Sequence, residues 1–415
     1  MNADQPMGQA AVARAVRLLT LTSGLYSFSI GSVRPLVPLF ALDLGATPLA
    51  VGLIVGLADF APMLLALSAG ILSDTLGPQS LIFTGTVTLL VSTVLRAAIP
   101  TIVALGAAQV LMGLSALAFF LAAQSYVVQL ARPEQRARFF GMWSFYQNIG
   151  SLTGPVAGGV LADLAIRSGL LPADAYRVAF LAAGVVMVPA VVMAWRLPRV
   201  NPGLSQRWNA SLQGTTGKAW RLGREHPQVT LGAFISLSIQ MSSAIRNSFF
   251  PVFLANLGFS TSVVSLFYSA QELSSTVVRP FFGALTRQFG IRRLMIIGLA
   301  ASVIGWGAIP VIPTTVAILC FSLLAGVGKG LGVMTTSLMV AGGAPSAQRG
   351  LALGIRQLAN RFADGASPAV LGMVAAGFGV ASTFVVSGLF AVVGLPILLR
   401  RKSGTTQYPG RARDI

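Results

Sequence analysis

The chain has 415 residues, 54% hydrophobic and 10% charged, where soluble domains carry about 25% charged residues. So few charges cannot cover a soluble protein of this size, and a mean hydropathy of +0.77 places the chain in a membrane. The net charge of +18 comes from 29 Lys+Arg against 11 Asp+Glu, most of the basic residues lying between apolar runs, where they read as topology signals rather than as a nucleic-acid surface.

Apolar runs of about 20 residues favour a helical bundle over an outer-membrane barrel. Twelve spans are predicted, near 16–41, 48–72, 80–100, 102–129, 139–165, 177–197, 228–255, 261–285, 293–312, 315–341, 350–378 and 380–399. The first follows Arg14 and Arg17 and is too long for a cleavable signal. It carries Arg34, nine residues before Asp43, or about 14 Å along a helix. Span 2 carries Asp59 at a similar depth, so both ionisable groups sit near the midplane on consecutive helices. The polar stretch 198–227, with Arg199, Arg207, Lys218, Arg221 and Arg224, reads as a basic linker. It divides the chain into an N-terminal six-helix bundle (1–197) and a C-terminal one (228–399), followed by a tail (400–415).

The second bundle repeats the pattern, with Arg246 in span 7 and Glu272 in span 8. Arg279, near the end of span 8, is placed to snorkel. Span 10 holds Lys329 without an obvious partner, inside Gly326-Val-Gly-Lys329-Gly-Leu-Gly. That run imitates a phosphate loop, but it follows no strand and lacks the Ser or Thr after the lysine. Span 11 carries Arg356 and a polar stripe, Gln357, Asn360, Arg361 and Asp364, on one helix face. Mid-membrane charges are costly and point to function; a static ion pair with the neighbouring acid is an equal reading for Arg34 and Arg246.

An even helix count puts both termini on one side. Assigning termini and linker to the cytoplasm gives that side about 20 Lys+Arg against about three opposite, Arg96, Arg167 and Arg177. The expected location is therefore the inner (plasma) membrane with both termini cytoplasmic. The chain also repeats itself at a shift of 213 residues: Pro38 meets Pro251, Asp59 meets Glu272, Gly70 meets Gly283, Gly77 meets Gly290 and Pro155 meets Pro368. Seven glycine pairs coincide, where chance gives about one or two. A parallel duplication implies two halves about an axis along the membrane normal, with substrate between them.

With six plus six helices, a basic central loop and a parallel repeat, the sequence resembles the major facilitator superfamily over nearly its whole length. Gly70-Ile-Leu-Ser-Asp74-Thr-Leu-Gly77 is similar to that family's signature between helices 2 and 3, although Thr75, Pro78 and Gln79 stand where basic residues are usual and Arg287 replaces the acid in the second copy. Gly150-Ser-Leu-Thr-Gly154-Pro155-Val-Ala-Gly158-Gly159 resembles the helix-5 signature of the 12-helix drug/proton antiporters; close helix packing explains it equally well. The resemblance implies an all-α fold of two six-helix bundles. It also implies a secondary transporter working by alternating access, with proton-coupled efflux of a small organic molecule as the leading function. Helices 1, 4, 7 and 10 would line the cavity, giving Arg34, Arg246 and Lys329 to an anionic substrate.

Asp59 is then the expected proton carrier, with Arg34 and Arg361 competing for it and Glu272 and Asp364 as alternatives. Gly70, Asp74, Gly77, Arg356, Arg361, Gly154 and Pro155 are expected to serve the conformational switch, Asp74 latching onto the start of span 11. The expected partners are substrate, protons and the bilayer, with no nucleic acid, for a chain acting as a monomer. Cys320 alone excludes an intrachain disulfide, and His226 alone, in a polar loop, offers little to zinc or Ser-His-Asp chemistry. No enzyme, metal or cofactor is expected. Uptake or exchange of an organophosphate or carboxylate, and a non-transporting receptor derived from a transporter, are the rival functions.

Overall fold

The computed structural model describes residues 9–199, 215–345 and 348–393, with side chains given except at 61, 65–76, 133, 215, 216 and 218. Every described element is helical. Span 1 is split into α1 (Gln9–Val33) and α2 (Leu36–Asp43). Pro35 and Pro38 lack the N–H groups that would bond the carbonyls of Gly31 and Arg34, so the helix cannot continue unbroken there. Then follow α3 (Pro48–Leu76), α4 (Pro78–Ala98), α5 (Ile102–Leu130), α6 (Pro133–Arg167) and α7 (Pro172–Trp195). Span 7 is broken in the same place as span 1, into α9 (Pro227–Ser243), a 3-10 turn (Ala244–Asn247) and α10 (Phe249–Asn256). It is followed by α11 (Thr261–Phe289), α12 (Ile291–Gly307), α13 (Thr315–Gly342), α14 (Arg349–Phe378) and α15 (Ser382–Val393).

The duplication is written in the boundaries. α2 and α10, and α3 and α11, begin and end 213 residues apart. Gly77 (φ +77°) and Gly290 (φ +75°) make the same direct turn into the next helix, a backbone conformation that strains any side chain. Seven of the described segments are long and apolar enough to span a membrane by length and composition. Their outward residues, among them Val103, Val185 and Val316, are apolar, as contact with lipid requires.

The linker holds an element the sequence did not reveal, and one reading of the sequence needs correction. The linker is not wholly irregular: α8 (Thr215–Glu225) docks against the C-terminal half through buried Leu222 and leaves Trp220, Arg221 and Arg224 exposed. Arg96 is not a loop residue. It is fully buried in the last turn of α4, donating to Ser92 Oγ (2.7 Å) and the Ala108 carbonyl (3.2 Å) beneath the Phe180 ring. Its removal from the loop count sharpens the basic asymmetry.

The two halves meet chiefly along α3 with α14 and along α6 with α11. Small residues permit it. A Cβ on Gly52 or Gly56 would collide with the carbonyls of Pro368 or Gly365, and one on Gly159 with Ser265 and Thr261. Each of these contacts lies toward the end of the bundle opposite the linker. There one apolar core joins both halves, with Phe40, Val51 and Phe180 beside Phe250, Phe253 and Leu371. Toward the linker end, the clusters of described residues each stay within one half. Among the described residues, the apolar core that joins the halves therefore lies at the far end, and none of the clusters at the linker end crosses between them.

Candidate functional site

The cleft between the halves ends where this seal begins. It is narrow and is lined by Arg34, Val37, Val55, Ala58, Asp59, Gln109, Met112, Ala244, Asn247, Asp364 and Pro368. Both helix breaks deliver a lining residue, Arg34 from the first and Asn247 from the second. Asn247 Oδ1 accepts from Tyr268 Oη at 2.7 Å, which fixes the amide.

The ionisable residues fall into two groups. On the C-terminal side, Arg246 is buried, with Nη1 2.7 Å from Glu272 Oε2, Nη2 donating to the Tyr268 carbonyl and the guanidinium 3.8 Å from the Tyr268 ring centre. Lys329 Nζ lies 3.7 Å from the same Glu272 oxygen. The partner that the sequence did not reveal for Lys329 is thus Glu272, which carries two cations. None of these three residues lines the cleft. The glycines around Lys329 serve packing: a Cβ on Gly326 or Gly330 would strike α11, and one on Gly328 would strike α12.

The second group spans the halves. Arg361 on α14 pairs with Asp59 on α3 at 2.5 Å, the side chains 35% and 15% exposed. Of the two arginines expected to compete for Asp59, Arg361 therefore holds it. The Arg34 side chain makes no hydrogen bond or direct ion pair among the described residues, and it shares the cleft with two acids, Asp59 and Asp364, rather than pairing with one. The reason is angular. Arg246 has Val33, not Arg34, as its counterpart in the repeat, and one residue rotates a helical side chain by about 100°. Asp364, one turn beyond Arg361, accepts from Gln240 Nε2 with both oxygens (2.8 and 3.0 Å) and touches no cation.

The rest of the α14 stripe binds α9: Asn360 Oδ1 accepts from Ser236 Oγ (2.7 Å), and buried Arg356 donates to the same hydroxyl (3.2 Å). Gly154 and Pro155 lie away from the cleft. Gly150, Gly154 and Gly158 form a face against α1, where a Cβ would meet the carbonyls of Gly24, Phe28 and Ser32, and Pro155 packs on Gly31. Gly77 is the turn already described, whereas Gly70 and Asp74 lie outside the residues whose side chains are described. The uncharged polar members Gln109, Gln240 and Asn247 escaped the sequence reading, although a glutamine inside an apolar run is itself a signal. No cluster that would hold a metal ion occurs among the described residues.

The Major Facilitator Superfamily profile matches residues 19–245 and 232–414. An uncharacterized MFS-type transporter of Methanocaldococcus jannaschii is 21% identical over 91% of this chain and 95% of its own. The class C tetracycline resistance protein of Escherichia coli is 25% identical over 69% and 70%, and the quinolone resistance protein NorA of Staphylococcus aureus 28% over 41% of each chain. Among solved structures, a bacterial homolog of the human lysosomal transporter Spinster, inward-facing and unoccupied, superposes with a TM-score of 0.79 at 14% identity, covering 94% of this chain and 97% of that one. The nucleoside transporter NupG gives 0.77 at 14%, covering 94% and 100%.

Proposed function

The chain belongs to the Major Facilitator Superfamily, a family of multi-pass membrane transporters, and on that premise we propose that it exports a small organic molecule in exchange for protons by alternating access. The linker end is cytoplasmic in this reading, because the basic residues gather there, and the described state faces inward in the plasma membrane. Efflux draws support from the tetracycline and quinolone resistance relatives.

The observation that carries the coupling is the Asp59–Arg361 pair, which ties α3 to α14 at the inner margin of the seal. Opening the far end separates these helices and strands the Asp59 carboxylate. A lost partner costs a buried carboxylate about 3–5 kcal/mol, and less here because Arg361 is partly exposed. Arg34 or a proton relieves that cost. The charged groups facing Asp59 are Arg361, Arg34 and Asp364, and Asp364 competes with it for Arg361. Asp59 is thus the proton carrier, with Asp364 as its partner acid. Glu272, held by two cations, is the weaker candidate.

The test uses proteoliposomes loaded with a pH-sensitive dye and offered tetracycline, a quinolone and small organic anions. The wild type moves protons when a transported compound is added. Asp59→Asn loses that response yet still exchanges labelled compound across the bilayer without a gradient. A variant that still couples makes Asp59 structural and passes the role to Asp364 or Glu272; no flux of any compound in the wild type favours a receptor.

A further inference from the structure

The linker helix α8 carries three basic residues against one acid, and none of them enters the transport cycle. It has 11 residues, short of the about 12–15 that sustain a helix in water without packing, and Leu222 is the one buried among its described side chains. Leu222 packs on Val229, Val340, Ala344 and Ala352, where α9 and α14 begin and α13 ends. The turn into α9 is tight: the His226 N–H donates to the Leu222 carbonyl (2.9 Å) and Thr230 Oγ1 to the Gly223 carbonyl (2.7 Å). α13 and α14 have 28 and 30 residues, or about 42 and 45 Å along their axes. Those lengths exceed the hydrocarbon core of about 30 Å and match the 40–45 Å, roughly, that includes both headgroup layers. The base of the C-terminal half, where α8 lies, is therefore at headgroup depth. Opposite Leu222 on the helix, Trp220 is 72% exposed, with exposed Arg224 one turn on and exposed Arg221 beside it. None of these three side chains has a hydrogen bond or ion pair among the described residues.

We propose that α8 is an interfacial helix that binds the anionic lipid headgroups of the cytoplasmic leaflet, with Arg221 and Arg224 on lipid phosphates and the Trp220 ring at the level of the glycerol and upper acyl carbons. An indole, apolar in body with one N–H donor, is at home at that level, and basic residues beside it are drawn to the negative potential of the leaflet. The bilayer then supplies the cover that one buried leucine does not. A neutral headgroup layer would satisfy Trp220 alone; the two arginines select the anionic lipid. The inference rests on the linker end being cytoplasmic, and on nothing about substrate, protons or the direction of transport.

The test reconstitutes the full chain in vesicles of phosphatidylcholine with a minority of phosphatidylglycerol. The fluorescence that Trp220→Phe removes is that of Trp220. Bromine near the top of the acyl chain, which quenches an indole it touches, is carried in one sample by the phosphatidylglycerol and in another by an equal amount of the phosphatidylcholine. Both quench Trp220, and the brominated phosphatidylglycerol quenches it more, with an enrichment beside the helix of about fivefold for each arginine that reaches a headgroup, the factor that ~1 kcal/mol per basic residue gives. Arg221→Gln combined with Arg224→Gln removes the preference and leaves quenching by the bulk lipid. Molar salt, which shortens the screening length to about 3 Å, also removes it. Arg138→Gln, exposed on α6 at the linker end of the other half, leaves it unchanged. Equal quenching by the two lipids, or a preference that the double variant keeps, overturns the headgroup assignment. Trp220 fluorescence quenched by aqueous acrylamide and by neither lipid places the helix in the cytosol, and fluorescence quenched by none of the three places it against protein; each overturns the proposal.

Discussion

An acid inside a membrane protein is defined by what it touches, and the three mid-membrane acids here touch different things. Glu272 holds two cations, Asp59 one, and Asp364 an amide. Removing one partner of a buried pair costs about 3–5 kcal/mol because the other charge is left bare. Glu272→Gln is therefore expected to lower the apparent melting temperature in detergent by several degrees, with Asp364→Asn staying near the wild type. Equal melting of the two variants contradicts a structural role for Glu272. The sequence named all three acids because charges in apolar runs are rare, and helix counting gave their depth. It did not give their partners, which depend on helix rotation: Arg34 and Arg246 look equivalent on paper, yet one residue of offset leaves Arg34 in the cleft and buries Arg246 on Tyr268. Gln240, which holds Asp364, carried no charge to draw notice.

At the scale of elements, glycine spacing decides which helices touch. Gly154 meets the Phe28 carbonyl within one half, whereas Gly141, on the same helix, has nothing within 4 Å of a built Cβ. Gly154→Leu is expected to abolish monodisperse protein in size exclusion, and Gly141→Leu to leave it intact; the opposite order rules out this packing face. Between the halves, Asp163 Oδ2 accepts from Ser262 Oγ at 2.9 Å, next to the Gly159 contact at the far end. Asp163→Asn weakens that closure, which is read as faster labelling by an impermeant thiol reagent of a cysteine replacing Val37, buried behind the seal, in the Cys320→Ser background. Unchanged labelling removes Asp163 from the closure. The helix plan was legible almost throughout, because a 213-residue repeat and the length of apolar runs survive in the sequence. α8 was not, since it is short, basic and polar on average and buries Leu222 alone among its described side chains.

For the whole molecule, the proposed exchange cycle requires that the Asp59–Arg361 pair hold the far end shut and that a proton on Asp59 let it open. Neutralising Asp59 removes the attraction across the halves, so acid favours the outward-facing state and alkali the inward-facing one. Spin labels in the Cys320→Ser background read both ends: Leu171 with Val311, exposed on opposite halves at the far end, and Trp195 with Phe289 at the linker end. The account predicts that lowering the pH lengthens the Leu171–Val311 distance and shortens the Trp195–Phe289 distance, and that Asp59→Asn adopts the acid distribution at every pH. Distance distributions that ignore pH, and that Asp59→Asn leaves as in the wild type at alkaline pH, would contradict it.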